Sequence, residues 1–109
     1  MATKLADITE GEGQPFTIAF KDETGAAVVP NNVAYTIRNE RDVVVNGRLS
    51  VVVSPASTLK LNTDTADNDP LNGAQRYIQV NWDYDSTQGT GIKAVDEAYW
   101  FIQRRESYK

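Results

Sequence analysis

The 109-residue chain contains no cysteine and no histidine. The first absence excludes disulfides and thiolate metal sites, and it fits a reducing compartment. Together the two absences remove the usual zinc ligands, the thiol nucleophile and the side chain that most often acts as a general base near neutral pH. Ser and Thr are plentiful, but without His or a well-placed Lys none has a group to activate it, so no catalytic residue and no cofactor is expected. Long apolar runs are missing too. Nothing approaches membrane-spanning length, and Met1 to Glu10 (MATKLADITE) lacks a signal-peptide hydrophobic region, which reads as a chain made in the cytoplasm with no membrane partner. Positive charge is scarce: 11 Lys and Arg against 15 Asp and Glu give a formal net charge of −4. A nucleic-acid partner is not expected, because counterion release needs a clustered positive surface.

What is present is alternation. In Arg76 to Asp85 (RYIQVNWDYD), Ile78, Val80, Trp82 and Tyr84 fall on one side of an extended backbone. Tyr77, Gln79, Asn81, Asp83 and Asp85 fall on the other, so the stretch reads as a central strand with one dry and one polar face. Gln14 to Lys21 places Phe16, Ile18 and Phe20 on one face, and Pro15 limits pairing on its side. Val33 to Arg38 buries Val33, Tyr35 and Ile37 and exposes Ala34, Thr36 and Arg38. Asn46-Gly47, between two β-branched runs, predicts a two-residue hairpin. Thr58 to Leu61 sends Leu59 and Leu61 inward, and Asn62 to Gly73 reads as a polar crossover between sheets, with one helical turn capped by Thr63 or Asp64 as an option. After an exposed loop from Ser86 to Gly91, the last strand or bulged pair of strands, Ile92 to Arg104, turns Ala98, Trp100 and Ile102 inward. Tyr99 and Phe101 then face outward beside Tyr77, unless the register slips by one.

Residues 1–13 read as an N-terminal arm carrying Leu5 and Ile8, held by its own domain or by a neighbour, residues 14–104 as one β domain, and residues 105–109 as a basic tail. Seven or eight short strands separated by frequent turn signals describe an all-β, antiparallel two-sheet sandwich of the wider immunoglobulin-like class, with a closed barrel as the alternative.

Three further patterns touch on chemistry. Asp64, Asp67 and Asp69 offer hard oxygen ligands of the kind calcium takes, but their spacing fails the EF-hand pattern and turns favour the same residues. Asp83 and Asp85 share a strand face about 7 Å apart, within range of a paired-carboxylate glycosidase, though a solvated strand end explains them equally. Gly11, Gly13 and Gly25 make no phosphate loop, since no Lys-Ser or Lys-Thr follows.

Laid out as strands, the runs ITEGEGQPFTIAFKDETGAAVVPNNVAYTIRNERDVVV, VVVSPASTLKLNTDTADN and GIKAVDEAYWFIQ carry a pattern. Its marks are Phe20, Asp22, Gly25 and Pro30, the turn Ser54 to Ser57, Leu59 and Leu61, and Asp96 and Glu97 before Trp100 and Ile102. The pattern resembles small immunoglobulin-like proteins encoded among tailed-phage and prophage morphogenesis genes. The resemblance implies a non-enzymatic virion component: a head decoration, head-tail or neck, or tail-associated subunit. Its partners would be capsid, connector or tail proteins and copies of itself. Contacts would come from the arm (Leu5, Ile8), the outward aromatics (Tyr77, Tyr99, Phe101) and the basic C-terminus (Arg104, Arg105, Tyr108), with an exposed edge strand available for β-augmentation. The reading from another class is a surface-recognition module that binds carbohydrate or a cell-envelope receptor through its loops.

Overall fold

The computed structural model describes residues 3–9, 12–64, 67–69, 71 and 73–103, and the elements below are drawn from these. Eight strands follow in chain order: β1 (Thr3–Lys4), β2 (Ile8–Thr9), β3 (Pro15–Ala19), β4 (Asn32–Asn39), β5 (Val51–Val53), β6 (Thr58–Asn62), β7 (Gln75–Ser86) and β8 (Gly89–Gln103). The larger sheet runs β1-β8-β7-β4-β5, with β2 also on β8, and β3 and β6 form a separate antiparallel pair.

Period-two patterning explains the large sheet. Ile78, Val80 and Trp82 of β7 lie opposite Ile37, Tyr35 and Val33 of β4, while Ile78, Trp82 and Tyr84 lie opposite Ala98, Ala94 and Ile92 of β8; Trp100, opposite Arg76, and Ile102 continue the same dry face. The small sheet contributes Phe16 and Leu59, and Phe20 just beyond β3 meets Trp82 at 4.9 Å between ring centroids. Each large apolar side chain taken fully from water is worth about 1.5–3 kcal/mol, and this cluster offsets the ordering entropy without covalent help. The layout fits an all-β sandwich of two unequal sheets.

Several sequence expectations need correction. The large sheet is mixed rather than antiparallel, because the arm runs parallel to the last strand: Thr3 pairs with Ala98 and Ile8 with Ile102. No tight turn joins the arm to β8, so chain reversal does not set its direction. The arm is held by its own domain, one of the two options the sequence left open, with Ile8 buried and Leu5 packed on the core. A buried Gln14 ties it down: its side-chain amide donates to the Ala6 carbonyl, and its main-chain N–H donates to Thr63 Oγ1 at 2.7 Å. Gly13 precedes it where any Cβ would strike the Thr63 carbonyl.

Asn46 and Gly47 do take positive φ, 54° and 66°, and close the expected two-residue turn, with the Arg48 N–H donating to Val45 O at 3.0 Å, but that turn is an excursion and not the hairpin that joins β4 to β5. The reversal happens earlier, at Asn39 to Val43. There the buried Asn39 Oδ1 accepts N–H groups from Arg41 (2.9 Å) and Val43 (3.1 Å), and Asp42 adopts φ 62°. β5 therefore returns along β4, with Val53 opposite Val33 and Val51 opposite Tyr35. Thr36, expected outside, is buried because its hydroxyl accepts the Ser50 N–H at 2.9 Å. The loop expected over Ser86 to Gly91 shrinks to Thr87 and Gln88, since the Asp85 carboxylate accepts the Gly91 N–H at 2.8 Å and carries the hairpin through the glycines.

Candidate interaction face

The small sheet covers the inner face of the large one, and the outer face stays open. The registry assembles its surface. Tyr77 lies opposite Tyr99 on β8 and opposite Arg38 on β4, while Lys4 of β1 lies opposite Tyr99. The result is a row across four strands, Lys4, Tyr99, Tyr77 and Arg38, with two cations flanking two phenols. The Tyr77 and Tyr99 rings are 5.8 Å apart and tilted by 40°. Phe101 stands edge-on to Tyr99 at 6.0 Å, and Lys4 Nζ sits 5.5 Å from its centroid while pairing with Asp7 at 2.9 Å. Tyr77 is 40% exposed and Phe101 37%, so the cluster is open to a partner. The outward register expected for Tyr77, Tyr99 and Phe101 is the observed one.

Two shallow depressions mark the same face. One, of about 260 Å³, lies between Thr36, Arg38, Asp42, Tyr77, Gln79 and Glu97. Arg38 Nε is buried there without a hydrogen bond, 3.6 Å from the Asp42 carboxylate. The other, of about 360 Å³, crosses the row Val95, Asn81, Ala34 and Val52, apolar but for Asn81.

Of the other residues singled out from sequence, Leu5 and Ile8 face the domain's own interior. Arg104, Arg105 and Tyr108 lie outside the described residues. The Asp83 carboxylate accepts the Asn32 N–H at 3.0 Å, and Asp85 accepts from Gly91 and Asn31. These bonds, the one from Gly91 first, hold the Asp85 carboxyl below the usual carboxylate range, the opposite of a glycosidase proton donor. The three crossover aspartates turn their carboxylates to different partners, Asp64 to Arg48 at 3.5 Å. Asp69 Oδ1 accepts the Leu71 N–H, and Asp67 is bound to arginine. Among the described residues no group of three acidic side chains is arranged to hold a metal.

Sequence reasoning passed over the polar chemistry beneath the inner face. Asp67, Asn68 and Arg76 are all fully buried. Arg76 donates to the carbonyls of Asp67 (2.7 Å), Asp69 (2.7 Å), Gly73 (2.8 Å) and Gln75 (2.8 Å), so the crossover wraps around its guanidinium. Burial pulls the Arg76 pKa below its ordinary value, against nearby acidic groups that raise it. Asp67 takes Arg48 Nε at 2.9 Å and Nη2 at 3.0 Å, plus Asn46 Nδ2 at 3.0 Å. Burial would raise the Asp67 pKa, but these bonds outweigh it and hold the carboxyl below its ordinary value, while the same contact with Asp67 raises Arg48. Asn68 accepts the indole N–H of Trp100 at 2.9 Å and donates to Thr63 Oγ1 at 2.7 Å. One signal was available: Arg76 shares parity with Ile78 to Tyr84, on the dry face.

The chain matches no protein family, no curated protein and no solved structure.

Proposed function

We propose that this protein is a non-enzymatic virion structural subunit of a tailed bacteriophage, an immunoglobulin-like sandwich at a head-decoration, head-tail or tail position. It is made in the host cytoplasm and assembled into the particle with capsid, connector or tail proteins. The observation that carries this reading is the outer face of the large sheet. There Lys4, Tyr99, Tyr77 and Arg38, with Phe101, form a contiguous aromatic and cationic row over a rigid ladder. Exposed aromatic and arginine side chains on a preformed surface are the anchors that protein interfaces favour, and a rigid sheet keeps the ordering cost of docking low.

The test is quantitative mass spectrometry of density-gradient-purified particles from the source, counting this chain against the main shell protein. Symmetric assembly gives copy numbers from about six to hundreds, and any value in that range supports the role. Absence from particles overturns it. A second reading, recognition of a polar, hydroxyl-rich ligand such as a saccharide, is favoured by the Arg38 Nε left without a hydrogen bond beside Tyr77, Gln79 and Glu97. Glycan binding by the recombinant domain, lost in Tyr77→Ala, would support that reading in its place.

A further inference from the structure

The edges of the two sheets are guarded unequally. At one end of the large sheet the arm covers β8 from Ala98 to Gln103, and Lys93 and Glu97 put charge on the stretch beyond. In the small sheet, β3 begins with Pro15 and β6 carries Lys60 at its centre. Proline, charge and a covering segment are the devices that keep edge strands from pairing with other chains. β5 itself has none of them, the nearest proline being Pro55, two residues past its end. From Leu49 to Ser57 (LSVVVSPAS) there is no charged residue, and Val52 at the centre of the strand is 83% exposed.

The direction of the free main-chain groups follows from the ladder. Ile37 donates its N–H to Arg48 O and accepts from Val45 N, so the odd residues of β4 turn their polar groups toward β5. Tyr35 with Val51 and Val33 with Val53 are then hydrogen-bonded pairs, which leaves Val52 pointing its N–H and C=O out of the sheet. Ser50 to Ser54 reads SVVVS in both directions. In an antiparallel pairing of two copies centred on Val52, Val52 lies against Val52 and Val51 against Val53; Ser50, at φ 47° and with its N–H given to Thr36 Oγ1, ends the ladder there. No like charges oppose one another. A shift by two residues places Val52 against serine and loses the match.

We propose that β5 is a homotypic contact: two copies join β5 to β5 across a two-fold axis perpendicular to the sheet, through reciprocal Val52 hydrogen bonds and packed Val52 side chains. The two large sheets become one continuous sheet with both outer faces on the same side. That presents the Tyr77, Tyr99 and Phe101 cluster twice, with two-fold symmetry. The inference goes beyond the assembly role proposed above and is tested apart from it. Absence from particles would overturn the role and leave the dimer, whereas a monomer in solution would overturn the dimer and leave the role.

Sedimentation velocity on the full chain, from about 5 µM to about 500 µM, reads the contact as a concentration-dependent monomer-dimer equilibrium. Val52→Lys, which places like charges across the axis, raises the dimer Kd by about tenfold or more. Because Val52 is exposed, thermal unfolding of that variant stays close to wild type. Mixing Val52→Lys with Val52→Glu restores a dimer that neither variant forms alone. A wild-type chain that remains monomeric throughout, a dimer undisturbed by Val52→Lys, or a mixture that fails to pair overturns the proposal.

Discussion

Arg76 and Arg38 sit on neighbouring strands one register step apart, yet on opposite faces of the sheet. Arg76 is fully buried, and its guanidinium is enclosed by four carbonyls of the crossover and its junction with β7. Arg38 lies on the open face, with Nε 3.6 Å from Asp42 and no hydrogen bond at that atom. The inner arginine is a fastening: it gives up solvation and gains a full set of acceptors. The outer one keeps hydrogen-bonding capacity in reserve. The faces divide labour in the same way, the inner one holding the fold and the outer one leaving contacts unfilled.

Arg76→Met breaks the comparison most severely. It strands the carbonyls of Asp67, Asp69, Gly73 and Gln75 in the interior, and urea unfolding should show a loss of about 3 kcal/mol or more. A loss below about 1 kcal/mol would mean that the crossover does not depend on the guanidinium.

Asp67→Asn removes the charge facing Arg48, at a cost of about 2 kcal/mol at neutral pH. Its pH dependence sharpens the point. The Asp67 carboxyl is held below its ordinary value, so its stabilising contribution is complete above the unfolded pKa of about 3.9 and disappears as pH falls through the folded value. The gap between wild type and variant should stay constant from about pH 7 to about pH 5 and close below about pH 4, as followed by urea unfolding at each pH. A gap that widens in acid would contradict the assignment.

Tyr77→Ser has the smallest effect on folding, about 0.5–1 kcal/mol from one cross-strand aromatic pair, with the tryptophan near-ultraviolet signal retained. Its effect should appear instead as reduced incorporation into particles. A variant that incorporates normally would detach the aromatic row from assembly.

The layered core was legible because period-two alternation leaves only one way to bury Val33, Tyr35, Ile37, Ile78, Val80 and Trp82 together. The outward cluster was legible in part: parity put Tyr77 outside, but it left Tyr99 and Phe101 open to a one-residue slip that the pairing of Tyr77 with Tyr99 resolves. Two classes of feature were not. The Asn39 reversal depends on a side chain replacing a main-chain acceptor, and Asn46-Gly47 a few residues later carries the stronger local turn signal. The buried network joins Arg48, Asp67, Asn68, Arg76 and Trp100, residues far apart in the chain, and sequence spacing carries no record of such contacts. The direction of the arm was hidden similarly, since nothing local to residues 3–9 specifies a parallel partner about 95 positions away.

The pairing of residues 3–9 with residues 98–103 has a temporal side. During synthesis the arm emerges well before β8 and finds no strand to join until β8 has left the ribosome. Until then Ile8 has no neighbour at Ile102. Closing this loop is among the most entropically expensive steps the chain takes, so the arm should settle last, as a seal on a sheet already formed. A nascent chain stalled before Trp100 would hold residues 3–9 in the open, within reach of chaperones or of another copy's unfinished edge.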